Sequence, residues 1–231
     1  MDWTFGITTK EGSESVTGQV INSIYGTMKH SPGRFEILVI GGKPVYGENL
    51  RHIEFQEPKG PGRISRKKNL LALNAKFENI VIAHDYIAFH RDWAAGFEIF
   101  GGDWNLSMTR VEDIFGRRFY DWISWDSPNF AKYDPIPYSN KDHTLFQFVP
   151  GAYWVAKTQF MLDYPLNEDL MWGESEDIEW SLRVRTKGLA FNPYSKVRHL
   201  KRHRGFRFTR SINNDGFQIC ARPDYFNWDQ I

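Results

Sequence analysis

Ile80-Val81-Ile82-Ala83 is a short unbroken apolar run that ends abruptly in His84-Asp85-Tyr86. Such a run suits a strand covered on both faces, as in a parallel sheet. Trp3 to Thr9, with Phe5 and Ile7 on one face, and Phe35 to Ile40, which stops at Gly41-Gly42, read as two further strands. Between them Val16, Val20, Ile21 and Ile24 keep helical spacing, so Val16 to Met28 is a helix, closed by Ser31-Pro32-Gly33. Strand, helix and strand within about forty residues make a βαβ unit, whose crossover is right-handed.

The pattern continues less evenly. His52 to Phe55 reads as a third, shorter strand, followed by the loop Pro58-Lys59-Gly60-Pro61-Gly62. The basic run Arg63-Ile64-Ser65-Arg66-Lys67-Lys68-Asn69 leads into a helix carrying Leu70, Leu71, Leu73 and Phe77. Arg91 to Gly102 continues the sheet or its cover. Asp103 to Lys141, with little periodicity, is expected to form long loops. Phe146 to Val155 is a strand pair or a bent strand, and Asp163 to Trp172 a connecting loop. From Gly173 to Gly188 two patterns compete. Ile178, Trp180, Leu182 and Val184 alternate like a strand, but acids open the stretch, Arg and Lys close it, and Gly188 stands where a helix stops. The ends decide for helix. Leu189 to Phe191 and Val197 to His199 are short strands inside an increasingly basic tail. The class is α/β, with a mostly parallel central sheet flanked by helices.

Composition narrows the choice. The 231 residues carry a net charge of +1, which suits one large α/β domain or two halves sharing a core and argues against a nucleic-acid binder. Nine Trp within 16% aromatics are enough to build a sugar platform as well as a core. The single cysteine, Cys220, forms no intramolecular disulfide. No apolar run reaches a membrane span, and Met1 to Ile7 lacks the form of a signal peptide, so a cytoplasmic protein is expected.

The candidate chemistry gathers at predicted strand ends, where open α/β sheets bind ligands. The turn Thr8-Thr9-Lys10-Glu11-Gly12 can hold a base and ribose, and Gly41-Gly42 allows close backbone approach. Cations at a helix start oppose the macrodipole, yet suit a diphosphate. Asp85 can bind a divalent cation or simply cap the next element. Glu176-Asp177 opens a helix, where acids are stabilised as anions, and His199 follows a strand. Metal, diphosphate and a separate carboxylate base together suit group transfer from a nucleotide-activated donor.

These motifs, from about Trp3 to His203, resemble inverting glycosyltransferases of the GT-A fold, family 2-like and galactosyltransferase-like. Ser65-Arg66-Lys67-Lys68-Asn69 is similar to the family's Ser-x-x-Arg-Asn, with Lys68 for the Arg. His84-Asp85-Tyr86 stands for its Asp-x-Asp, Glu176-Asp177-Ile178-Glu179 for its Glu-Asp-x-Asp, and Trp172-Gly173 for the preceding Trp-Gly. Gly41-Gly42 replaces its acid after the second strand. The resemblance implies a single domain over residues 1–231, with donor binding in about 1–90 and acceptor binding and catalysis in about 91–231. It implies a UDP-sugar donor contacted by Thr8, Thr9, Glu11, Gly41, Arg66, Lys68, His84 and Asp85. Mn²⁺ or Mg²⁺ would sit on Asp85 and His199. A carbohydrate or other hydroxyl acceptor would lie against Trp154, Trp172, Gly173 and Glu176, with Asp177 as base. Helix capping by Asp177 and core packing of the Trp residues are the structural alternatives. A sugar nucleotidyltransferase and a non-catalytic carbohydrate-binding protein are the rival functions.

Overall fold

The computed structural model describes residues 1–60, 62–124, 135–139 and 147–201. Its first half follows the apolar pattern closely. Strand β1 (Trp3–Thr8) leads into helix α1 (Glu14–Met28), then β2 (Phe35–Ile40) and β3 (Leu50–Ile53). Helix α2 (Ile64–Asn74) returns the chain to β4 (Asn79–His84). All six β1 residues are buried: Trp3, Phe5 and Ile7 lie on one face, and Thr4, Gly6 and Thr8 are covered on the other. Helix α1 buries Val20, Ile21, Ile24 and Met28, the stripe that the spacing marks. Helix α2 stops before Phe77, which lies in the turn leading to β4.

Eight strands form one sheet in the order β3-β2-β1-β4-β9-β6-β10-β5. Strands β3, β2, β1 and β4 run parallel. Strand β9 (Tyr153–Lys157) is antiparallel to both β4 and β6 (Leu106–Glu112). On the far side β6 pairs in parallel with β10 (Leu189–His199), and β5 (Ile87–Phe89) closes that edge antiparallel. The sheet thus mixes first-half and second-half strands.

Several expectations from the sequence change here. Arg91 to Gly102 is cover rather than sheet, since it holds helix α3 (Trp93–Phe100). Trp93 and Phe97 of that helix pack edge-on against Trp3. The supposed loop after Asp103 contains β6, an interior strand. Its Leu-Ser-Met-Thr-Arg-Val-Glu sequence lacks the continuous Val/Ile run that announces β4, yet its first four residues are buried. The Phe146 to Val155 stretch splits between β8 (Gln147–Phe148), which pairs with β7 (Ile123–Ser124) in a separate small sheet, and β9. Helix α4 (Thr158–Asp163) follows β9 unannounced. The two short strands expected after Leu189 are one strand, interrupted by a register shift between Asn192 and Lys196.

Glu176 to Val184 is helix α5, as its ends indicate. Ile178, Ser181 and Val184 are buried at helical spacing, while Leu182, part of the apparent alternation, is only half-buried. Among the described residues no helix is long and apolar enough to cross a membrane. The basic residues Arg202, His203 and Arg204, and Cys220, lie outside the described residues.

Candidate active site

The carboxyl ends of β1 and β4 meet side by side. Asp85 N–H donates to the Thr8 carbonyl at 3.1 Å, and Thr9 Oγ1 donates to Asp85 Oδ2 at 2.8 Å. Asp85 is therefore held by a hydroxyl rather than by a cation, and it is only 5% exposed. On the other side His84 N–H donates to the Ala152 carbonyl at 2.9 Å, tying β4 to the turn before β9. In that turn Gly151 N–H donates to Asp177 Oδ2 at 2.6 Å. Three short links thus run from Thr8 through Asp85 and His84 to Asp177.

A cavity of about 330 Å³ opens at these strand ends, lined by Thr8, Thr9, His84, Asp85 and Tyr86. Lys10, Lys67 and Lys201 bring three ammonium groups to it, and Glu57 brings a second carboxylate. Lys67 is the residue that sequence reasoning passed over. Its ammonium reaches the Thr9 carbonyl at 3.0 Å, pairs with Glu57 and lies 5.1 Å from the Phe55 ring centre. The signal was present in the basic run, but choosing among its cations needs the helix phase. A larger hollow of about 510 Å³, at the opposite end of the sheet, is lined by Asp2, Arg34, Glu78 and Lys157. Those groups are already paired, Asp2 with Arg34 and Glu78 with Lys157.

The cavity wall has a strained electrostatic balance. The Tyr86 hydroxyl bonds to His84 Nδ1 at 2.8 Å, and its ring lies 4.7 Å from that of His199. Lys201 Nζ sits 3.8 Å above the Tyr86 ring. Burial, then the charges of Lys68 and Lys201, pushes His84 well below the usual imidazole range. Its Nε2 is buried with no hydrogen-bond partner among the described residues. Lys201 is itself lowered, first by burial, against the opposing pull of Asp85. His199 is buried between Tyr86 and Phe119, its Nδ1 3.3 Å from the Lys201 carbonyl oxygen. Among the described residues no three His, Cys, Asp or Glu side chains are grouped so as to hold a metal by themselves.

The acidic motif is placed one turn further. Ser175 precedes α5 in the left-handed region, φ +61°, a conformation that costs a non-glycine residue about 1–3 kcal/mol. Glu176 is buried and Asp177 half-buried. Lys68 Nζ reaches Glu176 Oε1 at 2.8 Å. Asp177 is pushed up to about 6, first by burial and then by Glu176, while Lys68 and the N–H groups of Gly151 and Ile178 pull it down.

Some expected contacts are not made. Trp154 is wholly buried, with Lys68 Nζ 4.5 Å from its ring centre and Trp180 at 5.2 Å, so it is a core residue and not an acceptor platform. Tyr153 is likewise core, its hydroxyl bonded to Trp93 Nε1 at 2.8 Å. Lys68 faces Glu176 rather than the cavity. Arg66 points away, 62% exposed, with Glu168 at 3.9 Å. Glu11 is exposed in the turn and is not among the cavity-lining residues. Gly41 lies behind the wall. A Cβ on it would fall 2.7 Å from the Thr9 carbonyl oxygen, so the close approach is to protein backbone rather than to a ligand. Trp172, 59% exposed, lines the cavity at the β1 and β4 ends instead, and its backbone N–H donates to the Gly62 carbonyl at 2.9 Å.

No family model and no curated protein matches the chain. Solved structures do. A crystal structure of S. aureus TarS with UDP-GlcNAc superposes with a TM-score of 0.57 at 14% identity, over 88% of this chain and 59% of that one. GalNAc-T7 with UDP, GalNAc and Mn²⁺ gives 0.61 at 16%, over 88% of this chain and 44% of that one. Both are GT-A fold glycosyltransferases. The fold is the GT-A fold. Its curled, mostly parallel sheet accounts for the strand order above, and the cavity opens at the carboxyl ends of β1 and β4. The chain spans well under two thirds of the length of either protein.

Proposed function

We propose that this chain is a glycosyltransferase that moves a sugar from a UDP-sugar to a hydroxyl acceptor, with inversion and with help from a divalent cation. The observation that carries the reading is the cavity at the β1 and β4 ends of a GT-A sheet, where Asp85 faces three lysine ammonium groups. A nucleoside diphosphate needs such cations, and a GT-A donor needs such a carboxylate. TarS and GalNAc-T7 carry UDP-GlcNAc and UDP in corresponding folds, which supports the donor class.

Asp85 and His199 would hold Mn²⁺ or Mg²⁺. Asp85 lines the cavity while His199, packed on Tyr86, is not among the lining residues, so phosphate oxygens would supply most of the coordination, as these ions commonly use few carboxylates plus substrate phosphates. Bound there, the cation supplies charge neutralisation to the departing diphosphate. Lys67 and Lys10 share that work from the opposite wall. His84, bonded to the Tyr86 hydroxyl through Nδ1, forms part of the wall beside the donor. Trp172 packs beside the donor at the mouth. Asp177 takes the acceptor hydroxyl proton as that oxygen bonds to the anomeric carbon, and the electron pair of the breaking C–O bond leaves with the diphosphate. Attack from the opposite face turns an α-linked donor into a β-linked product.

Incubating the protein with UDP-sugars, Mn²⁺ and a panel of glycans and measuring UDP release tests the reading. Release that needs Asp85 and Asp177 is expected. Tight UDP binding with no release from any donor would favour a binding protein, and an α-linked product would point to a retaining enzyme.

A further inference from the structure

We propose that Lys68 is a positioning residue for the base. Its buried ammonium is engaged by Glu176, which leaves Asp177, held only by backbone N–H groups, as the member of the pair that exchanges a proton with the acceptor. The proposal rests on the reading of Asp177 as base, given above.

Two adjacent carboxylates that share a partly buried place do not ionise independently, because each raises the cost of the other's charge. A single fixed cation decides which of them stays charged. Lys68 is 0% exposed, and a lysine is almost never fully buried unless paired. Its partner is Glu176, at 2.8 Å, and its other neighbour is the Trp154 ring. Asp177 instead takes backbone donors: Gly151 N–H at Oδ2, 2.6 Å, and Ile178 N–H at Oδ1, 2.9 Å. Gly151 shows how closely the three groups converge. A Cβ there would lie 3.0 Å from Glu176 Oε1, 3.1 Å from Asp177 Oδ2 and 3.3 Å from Lys68 Nζ. Glycine therefore lets α5, α2 and the turn before β9 meet at one point.

Glu174 and Glu179 flank the pair along the chain. On the cavity wall His84 feels the charge of Lys68, and Tyr86 that of Glu176. Asp177's rise to about 6 agrees with this division, since burial and then Glu176 raise it while Lys68 holds it down. Lys68 thus links the wall that would hold the donor to the group that would activate the acceptor.

The test is a carboxyl-carbon NMR titration, with the Asp177 signal assigned by its loss in Asp177→Asn. In Lys68→Met the Asp177 midpoint is expected to rise by about 1 to 3 pH units, because the cation that holds it down is gone. The acid limb of the transfer rate should move up with it. Lys68→Arg keeps the charge and should restore the midpoint. Lys68→Met leaves Glu176 buried and unpaired and risks unfolding, so Glu176→Gln is the second variant. There the like charge is gone, Lys68 remains, and the midpoint is expected to fall below 6. Midpoints unchanged in folded Glu176→Gln or Lys68→Met protein would overturn the proposal. Full transfer by Asp177→Asn would instead overturn the base reading, while the titrations still decide whether Lys68 and Glu176 set the Asp177 midpoint.

Discussion

Asp177 carries a stability cost that can be measured without any substrate. Its carboxyl is pushed up to about 6 in the folded protein, whereas in an unfolded chain it titrates near 4. At pH 3 both states hold the proton, and at pH 8 neither does. Between about pH 4 and 6 the folded state binds more protons than the unfolded one, so this group makes stability fall as pH rises through that window. Two pH units at about 1.4 kcal/mol each set an upper limit of roughly 3 kcal/mol, and partial exposure and exchange with Glu176 bring it to about 1–2 kcal/mol. Asp177→Asn removes the ionisation and keeps an acceptor for Gly151 N–H. The variant should therefore gain about 1–2 kcal/mol over the parent protein between pH 4 and pH 8, which in a chain of this size is roughly 2–8 °C in Tm. Urea unfolding of both proteins at the two pH values is the assay. A difference that does not change with pH, or that shrinks at pH 8, would refute the claim that the fold holds this carboxylate against its own stability. Such a cost is expected where a group is kept for chemistry rather than for packing.

Other outcomes follow from the same geometry. Asp85→Ala should abolish the Mn²⁺ dependence of UDP binding in calorimetry while leaving Tm within a few degrees, because among the described residues the Asp85 carboxylate is held by the Thr9 hydroxyl. Trp154→Ala should cost about 3–5 kcal/mol in urea unfolding, as expected for a fully buried Trp. Trp172→Ala should cost less than about 0.5 kcal/mol yet weaken UDP-sugar binding, so equal stability losses in the two would contradict the assignment of Trp154 to the core. Gly41→Ala should destabilise the protein by more than about 1 kcal/mol, since φ is +81° and the added Cβ meets both the Thr9 oxygen and, at 2.8 Å, Lys67 Nζ. Weakened UDP binding should accompany that loss, because Lys67 is displaced from the cavity wall.

Local pattern carried the first half of this chain. Strands β2 and β4 hold the apolar runs Ile37–Ile40 and Ile80–Ala83, β1 an apolar face of Trp3, Phe5 and Ile7, and helix α1 an apolar stripe, because strands covered by helices and neighbouring strands are mostly apolar. Helix α5 was legible from its charged ends despite an alternating middle, since the macrodipole sorts charges whatever the packing does. Asp85, His84 and Asp177 could be singled out as candidates because they stand at element ends. What pattern could not show was set by contacts distant in sequence. Strand β6 is buried with Ser107 and Thr109 because sheet neighbours satisfy its backbone and cover its faces, which no local period announces. Sequence also could not assign the cations of the basic run, for Arg66, Lys67 and Lys68 are consecutive and chemically alike. Helix geometry turns them about 100° apart. Arg66 goes to solvent and Glu168, Lys67 to the cavity and Glu57, and Lys68 to Glu176 beneath Asp177. The phase of one helix against a sheet made from both halves of the chain, and not the residue types, decided which lysine faces the cavity at the strand ends and which faces the acidic pair.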